Sequence, residues 1–133
     1  PDIDHTRVAY IGISLGAFLA PMLLPFEERF RAAVLYSGGP GVNTSQSTVD
    51  ELFGLAHRTQ TPVLMLGGRN DPSAPATHQE ALFNAFGTPA ENKRFRLFDA
   101  GHWPLPMGEL LSETVNFLER HVGSTDNVGS GES

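Results

Sequence analysis

The sequence predicts an α/β fold built on a parallel four-stranded sheet with flanking helices. Short β-like runs alternate with helical patterns along the chain, which is the signature of crossover units on a parallel sheet. The first of these runs is apolar on both faces, as a strand buried inside a parallel sheet is. Three residues able to carry chemistry each follow a predicted strand, at the end where open α/β sheets place their sites. At 133 residues the chain allows one domain with a moderate core.

Each element has its own justification. Residues 7–13 form the first strand, and Leu15, Phe18, Leu19, Met22, Leu23 and Phe26 then recur at three- and four-residue steps, so that one helix face can cover the sheet. Pro21 and Pro25 should bend or end that helix. Residues 32–36 form the second strand, closed by Ser37-Gly38-Gly39-Pro40-Gly41, and Val49, Leu52, Phe53 and Ala56 mark a short helix. Residues 63–66 are the third strand, which leaves through the turn-rich Gly67-Gly68-Arg69-Asn70-Asp71-Pro72 into a helix over 76–86 with Leu82, Phe83 and Phe86 inward. Residues 94–98 are the fourth strand. Its Arg94 and Arg96 share one face, which suits an edge whose charges discourage further pairing. Leu110, Leu111, Thr114, Phe117, Leu118 and His121 form the stripe of a terminal helix. The domain is expected over 1–122. The polar segment 123–133 holds too little apolar surface to offset its ordering entropy and is expected to be a disordered tail or linker.

Composition excludes several classes of function. A formal charge of −6, with nine Lys and Arg scattered along the chain, offers no field for phosphate backbones, so nucleic acid is not an expected partner. The absence of cysteine leaves no disulfide framework, no thiolate nucleophile and no thiolate metal site, which suits a reducing, cytoplasmic location. No apolar run approaches the ~20 residues of a membrane span. No metal or cofactor is expected. His5, His57, His78 and His121 lack motif context and metal spacing, and are read as surface or packing residues.

The chemistry concentrates at three places. Gly12-Ile13-Ser14-Leu15-Gly16 between a strand and a helix reads as a nucleophile elbow, whose strained turn lifts the serine hydroxyl clear of the sheet. Gly12 and Gly16 permit the close approach of strand and helix, and a larger side chain at either should collide across the turn. Ser14 needs a base to take its proton. His102, in Gly101-His102-Trp103-Pro104, is the candidate base, and Asp71 the acid that fixes its tautomer. Other readings stand beside these: Ser14 as a helix cap, Asp71 as a turn former before Pro72, His102 as a loop histidine, and Asp99 as the rival acid. Phe18, Trp103 and Met107 are candidate pocket-lining residues, and Met22 and Met65 are expected in the core or the pocket wall.

These segments, in the order nucleophile, acid, base, resemble the α/β-hydrolase superfamily, specifically the second half of that fold from the nucleophile elbow onward. The flanking Ala33-Val34-Leu35-Tyr36-Ser37-Gly38-Gly39, and Gly87-Thr88-Pro89 before the fourth strand, look similar to prolyl-oligopeptidase-like and dienelactone-hydrolase-like members. The resemblance covers about residues 3–122. It implies a serine hydrolase of esterase or peptidase type, working through an acyl-enzyme on a small acyl substrate, with Ser14 as nucleophile, Asp71 as acid, His102 as base and the backbone N–H of Leu15 as one oxyanion donor. Serine at the elbow departs from the cysteine of true dienelactone hydrolases, which favours ester, thioester or amide cleavage.

The resemblance also implies two parts absent from the sequence: the loop giving the second oxyanion N–H, and the strand that pairs with the elbow strand. One missing oxyanion donor costs about 10²–10³ in turnover, so weak activity is expected of the isolated chain. The N-terminal half of such a fold, or a second copy of this chain, is the expected complement along the first strand. The competing expectation is a catalytically silent fragment or interaction module that functions through that exposed strand.

Overall fold

The computed structural model describes residues 4–123; the predicted tail, apart from Gly123, lies outside the described residues. Four parallel strands, β1 (Val8–Ile13), β2 (Phe30–Tyr36), β3 (Val63–Gly68) and β4 (Lys93–Phe98), lie in the order β1-β2-β3-β4. The helices between and after them are α1 (Leu15–Phe18), α2 (Gln46–His57), α3 (Ala76–Ala85) and α4 (Met107–His121). The α/β architecture expected from the sequence, a parallel four-stranded sheet with flanking helices, is therefore present.

Alternation along each strand divides the core in two. Ala33, Leu35, Val63 and Met65 face one side, where Ala17, Leu24, Leu52, Ala56, Leu82 and Phe86 cover them. Ala32, Val34, Tyr36, Leu64 and Leu66 face the other, closed by Leu105 and by Leu110 and Phe117 of α4. β2 and β3, covered on both faces, read as apolar runs for that reason.

β1 is covered on one side only. Ile11 and Ile13 stand in register with Val34 and Tyr36 of the α4-facing core, yet they are 52% and 51% exposed. α4 packs over β2 and β3.

The segment after β1 corrects the sequence reading. The helix ends after Phe18, and two short 3₁₀ turns, Ala20–Met22 and Leu24–Phe26, follow, each with a proline near its start. Proline removes the amide that a continuing α-helix needs, so the apolar repeat does not stay on one face. Leu15, Met22, Leu23 and Phe26 are exposed, and Ala17, Ala20 and Leu24 are buried in their place. α2 begins earlier than its apolar repeat suggests, because the Ser45 hydroxyl accepts the Thr48 N–H and caps it.

Candidate active site

The turn from β1 into α1 places Ser14. Its backbone lies at φ 57° and ψ −111°, a conformation that costs a residue with a Cβ about 1–3 kcal/mol. Contacts on both sides hold it there. The Ser14 N–H donates to the Tyr36 carbonyl at 2.8 Å, and the Ser14 carbonyl accepts from Ala17 and Phe18, each at 3.0 Å. The Tyr10 hydroxyl donates to the Gly16 carbonyl at 2.7 Å and closes the turn from the strand side. Gly12 is required here, since a Cβ would lie 2.6 Å from the Gly16 oxygen and 2.9 Å from the Ala17 nitrogen. Gly16 differs from the expectation: a Cβ there would meet nothing nearer than the Tyr10 hydroxyl at 3.8 Å.

Asp71 sits in the loop leaving β3. Its carboxylate is fully buried, with Oδ1 accepting the N–H groups of Ser73 at 2.7 Å and Ala74 at 2.9 Å. Turn former and partner of His102 are thus one residue, because each role uses a different oxygen. The loop is clamped from α3, where the buried Gln79 donates its amide N–H groups to the carbonyls of Gly68 (3.1 Å) and Ala74 (2.8 Å), one on each side of Asp71. The Gln79 Oε1 has no hydrogen-bond partner among the described residues.

His102 belongs to the segment between β4 and α4. Its Nδ1 lies 2.7 Å from Asp71 Oδ2 and its Nε2 2.8 Å from Ser14 Oγ. A carboxylate only accepts, so Nδ1 carries the proton and Nε2 offers its lone pair to the serine hydroxyl. Gly68 lets the two loops meet; a Cβ there would fall 2.0 Å from the Gly101 oxygen. The Asn70 N–H donates to the Ala100 carbonyl at 3.0 Å across the same junction.

The structure thus brings Ser14, His102 and Asp71 into one hydrogen-bonded series. Asp99, the rival acid, is left outside, accepting from the Asn70 side-chain amide at 3.1 Å on the surface. Ser14 makes no side-chain cap to α1. The N–H of Leu15, the first residue of α1, has no partner within the helix and lies next to Ser14. A cavity of about 250 Å³ opens beside Ser14 and His102, walled by Leu15, Phe18, Gly41, Thr44 and Ser73. Trp103 and Met107, expected in that wall, are 45% and 52% exposed and do not line it. Trp103 turns instead toward Tyr36, with ring centroids 6.3 Å apart. Met65 is in the core, whereas Met22 is exposed.

Among the remaining histidines, His78 Nδ1 lies 2.9 Å from the Pro40 carbonyl, and His121 packs on Phe117 with ring centroids 4.4 Å apart. Burial, and then the neighbouring Arg120, push the His121 pKa down. No group of three potential ligands among the described residues is arranged to hold a metal ion, and no helix of theirs is long and apolar enough to cross a membrane.

Sequence reasoning missed Ser37, Gln79 and Tyr10, all of which touch this apparatus. Each acts on backbone carbonyls of other segments, and a side chain that does so leaves no spacing to read. A serine opening a glycine-rich strand exit was the one signal present, and it reads equally well as an ordinary turn.

Solved structures share this arrangement of elements. A cold-adapted esterase from an Arctic intertidal metagenomic library superposes with a TM-score of 0.73 at 22% identity, over 87% of this chain and 47% of that one. An esterase of Pyrococcus furiosus gives 0.72 at 19% identity, over 89% and 55%. A puromycin-hydrolyzing peptidase of Mycobacterium tuberculosis gives 0.70 at 20% identity, over 90% and 22%. The chain thus spans about half the length of the two esterases and less of the peptidase. No curated protein matches it in sequence. The sequence profile of the dienelactone hydrolase family matches residues 1–103, which include Ser14, Asp71 and His102. The chain belongs to the dienelactone hydrolase family, within the α/β-hydrolase superfamily.

Proposed function

We propose that this chain carries the acyl-transfer machinery of a serine hydrolase, with Ser14 as nucleophile, His102 as general base and acid, and Asp71 as the acid that orients it. The observation that carries this reading is the unbroken series from Ser14 Oγ through both ring nitrogens of His102 to a fully buried carboxylate. A surface serine or a loop histidine needs no such partner, and the strained backbone of Ser14 is the geometry that a nucleophile elbow gives its serine. Family membership and the esterase neighbours favour the same reading.

The reaction follows from the geometry. As Ser14 Oγ bonds to an acyl carbon, its proton passes to His102 Nε2, and the resulting imidazolium is stabilised by Asp71 across Nδ1. The carbonyl oxygen becomes an oxyanion that the Leu15 N–H can stabilise. Collapse breaks the bond to the leaving group, which takes the proton from Nε2. Water, deprotonated by the same nitrogen, then attacks the acyl-serine, and its breakdown returns the proton to Ser14. A cavity of about 250 Å³ suits a small ester, thioester or amide. The second oxyanion donor is assigned to a polypeptide that pairs along the open edge of β1, either the N-terminal half of such a fold or a second copy.

A fluorophosphonate probe tests this. Covalent labelling of Ser14 is expected, absent in Ser14→Ala and reduced at least 100-fold in rate in His102→Ala. A folded sample that takes no label would overturn the proposal. The half-exposed Ile11 and Ile13 favour a second reading, an interaction module working through β1. A stable assembly through β1 that never takes the probe would select it.

A further inference from the structure

We propose that Ser37 is a positioning residue for His102, an inference that rests on the reading of Ser14 as nucleophile. Ser37 follows β2 directly, is buried, and donates its hydroxyl to the main-chain carbonyl of His102 at 2.6 Å. Its own N–H donates to the Leu66 carbonyl at 2.8 Å, so it is fixed to the end of the β2–β3 ladder.

The backbone of Ser37 is the telling feature. It lies at φ 56°, a region that glycine enters freely and other residues enter at a cost. Glycines follow it at 38 and 39, yet this position holds a side chain. Among the described residues only two non-glycines have positive φ, Ser14 and Ser37, and both hydrogen-bond to His102. Ser14 engages the ring and Ser37 the main chain. An observed backbone outlier with that partner points to function.

The need for such a tether follows from the segment that carries the histidine. Residues 99–106 are neither helix nor strand. Asn70 holds Asp99 and Ala100. Among the described residues the Ser37 hydroxyl makes the one hydrogen bond to the His102 main chain. Two ring contacts, at 2.7 and 2.8 Å, require the Cα to stay in one place, and the Ser37 bond holds the main chain beside it.

The test compares Ser37→Gly with Ser37→Ala in the full chain. Both remove the hydroxyl, but glycine also relieves the backbone and alanine does not, so the two variants should melt at different temperatures. Positioning predicts that both lose the same about 10- to 100-fold in the limiting rate of fluorophosphonate labelling, while the half-saturating probe concentration stays within about twofold. Labelling by Ser37→Gly within twofold of the unsubstituted chain overturns the proposal, as does a loss that follows melting temperature. The strongly deshielded proton of His102 Nδ1 in the NMR spectrum gives a readout that needs no acyl chemistry. It is expected to broaden or shift upfield in both variants, and an unchanged resonance counts against Ser37. If the unsubstituted chain takes no label, the nucleophile reading fails, and that proton still decides the role of Ser37.

Discussion

β4 and β1 both border the sheet, and they meet solvent in opposite ways. On β4, Arg94 and Arg96 both pair with Glu113 of α4, and Arg96 pairs also with Glu109, so the helix is strapped to the strand by charge. On β1, Ile11 and Ile13 face outward and are half-exposed, while α4 packs over β2 and β3. A strand edge that is charged and tied down resists further pairing, whereas an apolar one invites it. Both edges feed the candidate site, since Ser14 leaves β1 and His102 follows β4. The difference is that the strand before His102 is tied by charge to the helix after it, while the strand that leads to Ser14 leaves apolar side chains half-exposed.

The largest expected effect lies where β1 ends. Gly12→Ala should destabilise the fold by about 3 kcal/mol or more, read by denaturant melts, because its Cβ would collide with backbone atoms that have no room to move. Gly16→Ala is the matched contrast. It has free space and lies in α1, so it should be neutral or stabilising by up to about 1 kcal/mol. Equal losses in the two would show that the turn is governed by its hydrogen bonds, not by contact.

Charge sets the next effect, at the opposite edge. The Glu113 carboxyl, bonded first by Arg94 and then by Arg96, is held down to about 2 from the ordinary 4.5. A carboxyl depressed in the folded state adds stability that is complete above about pH 5 and is lost as the pH falls toward 2. Glu113→Gln should therefore cost about 1 kcal/mol at neutral pH, solvent screening included, and progressively less as the pH falls through 2. Melting curves across that range would show the gap between the two proteins closing on the acid side. A gap that stays constant with pH would mean the straps hold by packing alone.

The smallest effect on stability should come from charging the open edge. Ile11→Lys and Ile13→Lys alter half-exposed side chains and should change stability by no more than about 0.5 kcal/mol. They should nevertheless abolish any rise of mass with concentration in sedimentation. A chain that is monomeric at every concentration, with or without the lysines, would remove the second copy as the partner of β1.

Most of the fold was legible because its signals are local. The apolar runs at 32–36 and 63–66 announce strands buried on both faces, and the charged face of 94–98 announces an edge. The stretch from Leu15 to Phe26 was not legible, since its apolar repeat persists through two prolines that break the helix carrying it. Ser14, Asp71 and His102 could be picked out because each stands in a turn with its own chemistry. Ser37 and Gln79 could not. Ser37 bonds to a residue 65 positions away, and Gln79 occupies what looks like an ordinary helical position until the acid loop folds over it. The misjudged glycine has a similar cause, for Gly12 and Gly16 look equivalent in sequence and only the path of the turn tells them apart.

The Ser14 hydroxyl and the His102 ring are 88 residues apart in the chain, and Asp71 stands 31 residues before the histidine. No hairpin or local helix pair can bring them together; the meeting requires β1, β2, β3 and β4 to be laid side by side. Contacts of such long sequence separation form late and slowly. The hydrogen-bonded series of Ser14, His102 and Asp71 is thus a property of the completed sheet, and the moment at which it closes in a refolding chain dates the arrival of its last strand.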